Sequence, residues 1–432
     1  MFNFVRFYNN TTIHNTMNII IKNATIVDSS SEFNQQKVDI KIENGFISEI
    51  ASNLDSTGFE TVSFENLHIS NGWMDASVSF GEPGFEDRET IDNGLTTAAK
   101  SGFTHVAYQP NTQPVIDNQS VVSFVKTKAA NHATSLHPIG AFTKNEEGND
   151  LSEMFDMQNA GAVAFGDYKK SISNANLLKI GLQYVQDFDG TVLAYCNDST
   201  IKGKGVVHEG IVSTTLGLKG IPALTEEIVV ARNLFLLEYT GGKMHIPTIS
   251  TEKSAELIRE AKAKGLNVTC SVAIHNLVLT DDVLTEFDTR YKVNPPLRDA
   301  KHQKALIDAV LDGTIDMITS DHCPLDIEHK KMEFDLAKDG TIGLESAFGA
   351  LLTKLPLEIV VEKFQAAKSI FLKKNNSLKV GEKADLTLFN PSKEWTFTKS
   401  DILSKSKNSA FLNQPMKGWV YGIYHNDKLI VK

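Results

Sequence analysis

Cysteine is scarce in this chain: three in 432 residues, Cys196, Cys270 and Cys323, far apart and with no CxxC pair. That spacing argues against a disulfide framework or a cysteine zinc site, and points to a reducing, cytoplasmic setting. Long apolar runs are missing too; none approaches the ~18 residues a membrane helix needs, so no membrane partner is expected. Positive charge is in deficit, with 43 Lys and Arg against 53 Asp and Glu, a net charge of −10. Such a balance argues against a general nucleic-acid binder. No G-x-x-x-x-G-K-[ST] phosphate loop is present, and the Gly- and Lys-rich stretch 197–222 reads as a long loop of the kind that builds lids and interfaces. The opening "MFNFVRFYNNTTIHNT" has one Arg and no sustained apolar core, which makes a poor signal peptide. Residues 1–16 read as a disordered extension ahead of a first strand that begins at Met17.

What is there is ordinary globular material, 41% hydrophobic and 22% charged. Both ends alternate apolar and polar residues: "MNIIIKNATIVD" and "VDIKIENGFISEI" around a hairpin turn at Glu43-Asn44-Gly45, then "ADLTLFNPSKEWTFT" and "GWVYGIYHNDKLIVK". Neither end makes a good sheet core alone, so the expectation is a small β-sandwich domain built from both, residues 17–69 plus 376–432. Between them, over 70–375, short apolar runs alternate with helical patterns, the mark of βα units and a parallel sheet. Eight strand candidates can be counted, from "MDASVSF" (74–80) to "IDMITSD" (315–321). In "STEKSAELIREAKAKG", Ser250 or Thr251 can cap a helix and Gly265 can end it; in "ETIDNGLTTAAKSG", Gly102 closes another. The fold class is therefore α/β, a TIM (β/α)8 barrel with the β-sandwich appended.

Chemistry in such a barrel sits at the C-terminal ends of the strands. Here those positions hold Ser77, Ser79, Asn111, Asp167, Tyr195, Thr248, His275 and Asp321. Ser77 and Ser79 lie in no G-x-S-x-G elbow and read as small polar fillers rather than nucleophiles. His245 and His275 could ligate a metal; the plainer reading of each is a satisfied core or supporting histidine. The "YKK" after Asp167 puts two lysines near strand four.

Several blocks resemble the dihydroorotases of the amidohydrolase superfamily. They include the stretch 71–117 beginning "NGWMDASVSFGEPGF", then "HIPTIST", "KVNPPLR", "DGTIDMITSDHCP", "GLESAFGALL" and "VGEKADLTLFNP", in the right order from Met17 to Lys432. The resemblance implies hydrolysis or closure of a cyclic amide by zinc-activated water. It also implies ligands at an HxH pair on strand one, an acid or modified lysine on strand four, histidines on strands five and six, and a proton-shuttling Asp on strand eight. Mapped onto this chain, those positions are Ser77, Ser79, Asp167, Tyr195, Thr248 and Asp321. All four imidazoles are replaced. The family's substrate-gripping arginine is Gly81 and a further family histidine is Leu325, whereas Asn111 and Asn294 match substrate-binding positions.

Neutral hydroxyls are weak zinc ligands, and two carboxylates alone bind metals weakly. The expectation is therefore no bound metal and a catalytically inactive member of the pyrimidine-biosynthesis family, with Asp321 a vestigial shuttle. Such a protein would act as a structural partner, for example of aspartate transcarbamoylase, and by the family's habit as a homodimer. Two other readings stay open: a working cyclic-amide hydrolase with a remodelled zinc site, and a metal-free binder of a pyrimidine-like ligand through Asn111 and Asn294.

Overall fold

The computed structural model describes residues 18–374 and 377–432. The expected extension 1–16 lies outside the described residues, as do both sides of the expected 375/376 boundary. Eight strands follow one another in sequence order around a parallel sheet: Trp73–Val78, Phe103–Tyr108, Ser135–Gly140, Ala164–Phe165, Val192–Leu193, Met244–Ile246, Val268–Ala273 and Met317–Thr319. The sheet closes on itself, since Val78 bridges His322 in parallel and the Ser79 N–H donates to the His322 carbonyl at 2.8 Å. Closure of eight parallel strands with intervening helices makes a (β/α)8 barrel.

Strands four and five are only two residues long, shorter than the apolar runs in which they sit. Between them the backbones run close: at Gly166 a Cβ would lie 2.7 Å from the Leu193 carbonyl oxygen, so no larger residue fits there.

The helices start and stop where the chain's local chemistry directs. Thr251 caps Glu252–Ala263 by accepting from Ser254 N, and Gly265 leaves that helix at φ +84°. Ser250 does not cap; it donates to Glu226 instead. Beneath the barrel, Trp73 is fully buried against Phe103, Phe348, Phe364 and Phe389, with its indole N–H donating to Ser70 Oγ at 2.9 Å. This aromatic cluster ties the barrel floor to the other sheet, because Phe389 belongs to the strand Leu386–Thr396.

That second sheet has eight strands drawn from both ends of the chain. His68–Asn71 stitches them, running parallel to Ile19–Ile26 on one side and antiparallel to Leu386–Thr396 on the other. The hairpin at Asn44-Gly45 forms with both residues at positive φ (51° and 80°), the backbone an Asn-Gly pair supplies at least strain. Ile19, Ile40, Ile69, Leu386 and Leu388 share one apolar core there.

Candidate active site at the barrel mouth

Strand ends one, four, five, six and eight converge on a cavity lined by Ser77, Gln109, Asp167, Lys169, Tyr195, Thr248 and Asp321, among others. Its free volume is about 20 Å³, room for about one water molecule. The mapped positions thus meet in space, but side chains fill most of the space between them.

Ser77, Ser79 and Tyr195 each engage a neighbouring amide. Ser77 Oγ accepts from Gln109 Nε2 at 3.1 Å, and Ser79 Oγ donates to Asn111 Oδ1 at 3.1 Å. The Tyr195 hydroxyl donates to Asn294 Oδ1 at 2.9 Å, which brings together two positions 99 residues apart. Asn111 and Asn294 are therefore partly spent on internal bonds. Both oxygens of Asp167 are engaged by the neighbouring loop: Oδ1 accepts from the backbone N–H groups of Phe142 and Thr143 (2.9 and 3.0 Å), and Oδ2 from the Thr143 hydroxyl. Burial nonetheless raises its pKa.

The centre belongs to a residue that the spacing argument passed over. Lys169 Nζ donates to Asp321 Oδ2 at 2.7 Å; Asp321 is buried and Lys169 mostly so. Burial pulls the Lys169 pKa down, but the Asp321 and Cys323 groups beside it outweigh that and leave it raised, so the ammonium stays charged. Asp321 is raised, mainly by burial, with Lys169 and the Tyr168 and Ser77 hydroxyls opposing the rise. Lys170, next in sequence, faces outward to Glu146. A lysine four residues past the end of strand four, opposite an acid two residues past strand eight, was the available signal. Asp75, fully buried beneath the mouth and accepting from Ser320 N at 3.0 Å, was also passed over. Burial lifts its pKa to about 6.

Three non-glycine residues of the mouth, Lys169 (φ 53°), Thr248 (φ 48°) and Asp321 (φ 50°), sit in the left-handed region. For a β-branched threonine this is a true outlier, and such strain gathers at sites whose geometry is fixed from outside. Gly81 lies at φ 115°, and a Cβ there would stand 2.7 Å from the Phe85 carbonyl oxygen. An arginine at this position would be strained and crowded against that carbonyl.

The two histidines differ. His245 is satisfied inside the barrel, with Nδ1 at 2.9 Å from Thr269 Oγ1 and Nε2 at 3.1 Å from Ser271 Oγ. His275 is buried with neither ring nitrogen hydrogen-bonded among the described residues, and it does not line the cavity. Its pKa falls to about 3, through burial and then the nearby Lys169 charge. Neutral and unpaired, it is not the satisfied core histidine expected.

Zinc, which the resemblance implies, does not fit this donor set. Four positions offer neutral side chains, Asp167 is consumed by loop amides, and Asp321 is held by an ammonium that would repel a dication. Two groups elsewhere lie within chelating distance of one another: His105, Asp385 and His425, and His208, Asp299 and His302. In the second group, Arg298 Nη1 donates to His208 Nδ1 (3.2 Å) and Glu252 N donates to His302 Nδ1 (3.0 Å). Those obligate donors put the proton on each Nε2 and leave no lone pair there for a metal. The first group has suitable donors, but Lys368 Nζ sits 2.9 Å from Asp385 Oδ2 and already supplies the positive charge.

Comparison with known proteins agrees with the fold and the motifs. The family model described as dihydro-orotase-like matches residues 68–254. The dihydroorotase of Pelotomaculum thermopropionicum is 41% identical over 409 residues, 93% of this chain and 96% of that protein. The dihydroorotase of Acetivibrio thermocellus is 39% identical over 422 residues, covering 96% and 99%. Among solved structures, the L-hydantoinase (dihydropyrimidinase) of Arthrobacter aurescens superposes with a TM-score of 0.84 over 96% of each chain at 22% identity, a likeness of fold. With sequence identity of this extent along nearly its whole length, the chain belongs to the dihydroorotase family of the amidohydrolase superfamily.

Proposed function

We propose that this chain serves pyrimidine biosynthesis as a dihydroorotase-family protein whose own barrel mouth does not run the zinc-dependent hydrolysis of a cyclic amide. The observation that carries the reading is the largely buried Lys169–Asp321 pair. It places a fixed ammonium on the carboxylate that would shuttle the proton, in a cavity with room for about one water. An Asp engaged this way is a poor general base, since it must first give up a charge-assisted bond. A barrel freed from catalysis can still act as a structural partner, and a transcarbamoylase that makes the substrate of this step is the natural candidate.

A second reading is a working cyclic-amide hydrolase with a remodelled site. The relatives favour it, since those at 38–41% identity along the chain bear the name dihydroorotase. The test is dihydroorotate hydrolysis and carbamoyl aspartate cyclisation by the purified protein with zinc supplied. The first reading predicts no turnover above that of an Asp321→Asn variant. Turnover that Asp321→Asn abolishes would overturn it and establish the second.

A further inference from the structure

At the end of the barrel opposite the mouth, a second cavity opens beside the start of strand Ser135–Gly140. Its free volume is about 390 Å³, within the ~300–1,000 Å³ of small-molecule sites. Lys126, His132, Ser135 and His137 line it from the barrel, and Asn426 and Lys428 from the hairpin turn between Pro415–His425 and Lys428–Val431. No carboxylate lines it among the described residues, in a chain whose net charge is −10. The Lys428 ammonium donates to the Asn131 carbonyl, a neutral partner. Ser135 Oγ accepts from Asn426 Nδ2 at 3.1 Å, so its own hydroxyl proton is left to donate. His132 is engaged elsewhere, with Nε2 at 3.2 Å from Asp92 Oδ1.

A chain of bonds decides which ring nitrogen of His137 the cavity meets. Lys368 Nζ donates to Asp385 Oδ2 at 2.9 Å. Burial pushes the Asp385 pKa up, but Lys368 and His105 beside it outweigh that and hold it well below the usual carboxylate range. Asp385 therefore only accepts. It faces His105 Nε2 at 3.4 Å, which puts the His105 proton on that nitrogen and leaves Nδ1 a lone pair. His137 Nε2, 2.9 Å from His105 Nδ1, donates to it. The remaining nitrogen of His137, Nδ1, then carries a lone pair with no donor among the described residues. Burial keeps both rings neutral, and for His137 the neighbouring His105, Lys374 and Lys126 act in the same direction.

We propose that this cavity binds a phosphate group, free or as a monoester, with the Lys126 and Lys428 ammonium groups and the Ser135 hydroxyl on its oxygens and His137 Nδ1 accepting its remaining P–O–H. Ammonium groups alone take any oxyanion. A fixed acceptor among them selects an anion that still carries a proton. A phosphate monoester, with its second pKa at ~6, keeps that proton on about half its molecules at that pH. Sulfate has no proton to give and sets lone pair against lone pair. The cavity is larger than one phosphate, which leaves room for the organic part of an ester. The inference is independent of what the barrel mouth does.

Isothermal titration of the full chain at about pH 6 compares inorganic phosphate, ribose 5-phosphate and sulfate. The phosphate compounds should bind at least about tenfold more tightly than sulfate. Tighter binding of ribose 5-phosphate supports an esterified ligand, and equal or tighter binding of inorganic phosphate supports the free ion. Lys126→Gln and Lys428→Gln should each weaken phosphate binding about tenfold, with the melting temperature in the absence of anions unchanged. His137→Phe should abolish the preference for phosphate over sulfate. Should that variant fail to fold, the two lysine variants and the wild-type preference still decide. No detectable phosphate binding, sulfate bound as tightly as phosphate, or an affinity that neither lysine variant changes would each overturn the inference.

Discussion

Replacing Lys169 by methionine keeps much of the side-chain volume at the barrel mouth and removes the one charge that Asp321 Oδ2 touches at 2.7 Å. Asp321 is buried and Lys169 mostly so, at 2 and 14% side-chain exposure, so solvent can replace little of the pairing. Breaking a buried pair from one side costs ~3–5 kcal/mol, whereas removing both partners is often close to neutral. Lys169→Met should therefore destabilise the protein by about 3 kcal/mol near neutrality, and Lys169→Met with Asp321→Asn by much less. The pH dependence fixes the sign. Asp321 already has a raised folded pKa, and losing its cation raises it further above the unfolded value of ~3.9. The deficit is then full above the folded pKa, shrinks as pH falls through it, and disappears below the unfolded value. Urea midpoints of the four proteins of the cycle, at about pH 8 and about pH 5, measure this. A Lys169→Met midpoint equal to wild type, or a deficit that does not shrink in acid, would refute the buried-pair reasoning.

Gly81→Arg should destabilise by at least ~1–3 kcal/mol without creating a carboxylate site, because φ is 115° and the Phe85 carbonyl lies 2.7 Å from the new Cβ; thermal melting reads it. His275→Leu should flatten the acid limb of stability. His275 has a folded pKa of about 3, so it draws no proton on the native side while the unfolded chain takes one below ~6.5, and stability falls by up to ~1.4 kcal/mol per pH unit from there toward the folded value. Urea midpoints between about pH 6.5 and about pH 4 should fall less steeply in the variant, and parallel slopes would contradict it. Restoring histidine at Ser77, Ser79, Tyr195 and Thr248 should not by itself create a tight zinc site, while adding Lys169→Ala should. Isothermal titration with zinc compares the two, and equal affinities would show that Lys169 is not the obstacle.

The barrel was legible because its signals are local and repeated. Thr251 and Gly265 bracket a helix by capping chemistry, and Asn44-Gly45 folds as its φ preferences direct. The joining of the two chain ends depended on a pairing more than 300 residues long in sequence, which alternation alone could suggest but not register. At the mouth, position-by-position mapping found what was missing but not what had replaced it. Lys169 matches no ligand position, and its left-handed backbone (φ 53°) and its bond to Asp321 are visible only in the fold. The spending of Asp167 on the Phe142 and Thr143 amides was hidden for a like reason, since nothing in "AGAVAFGD" announces which loop will claim the carboxylate. His275 was misjudged because burial without a partner is a property of surroundings, not of the residue.

The central claim is that the mouth is closed to zinc by its own side chains. Elemental mass spectrometry on wild-type and Asp321→Asn protein, expressed with zinc and dialysed, tests it most directly. The expected result is a zinc content that the Asp321→Asn substitution leaves unchanged. Stoichiometric zinc in the wild type that is lost in Asp321→Asn would contradict it.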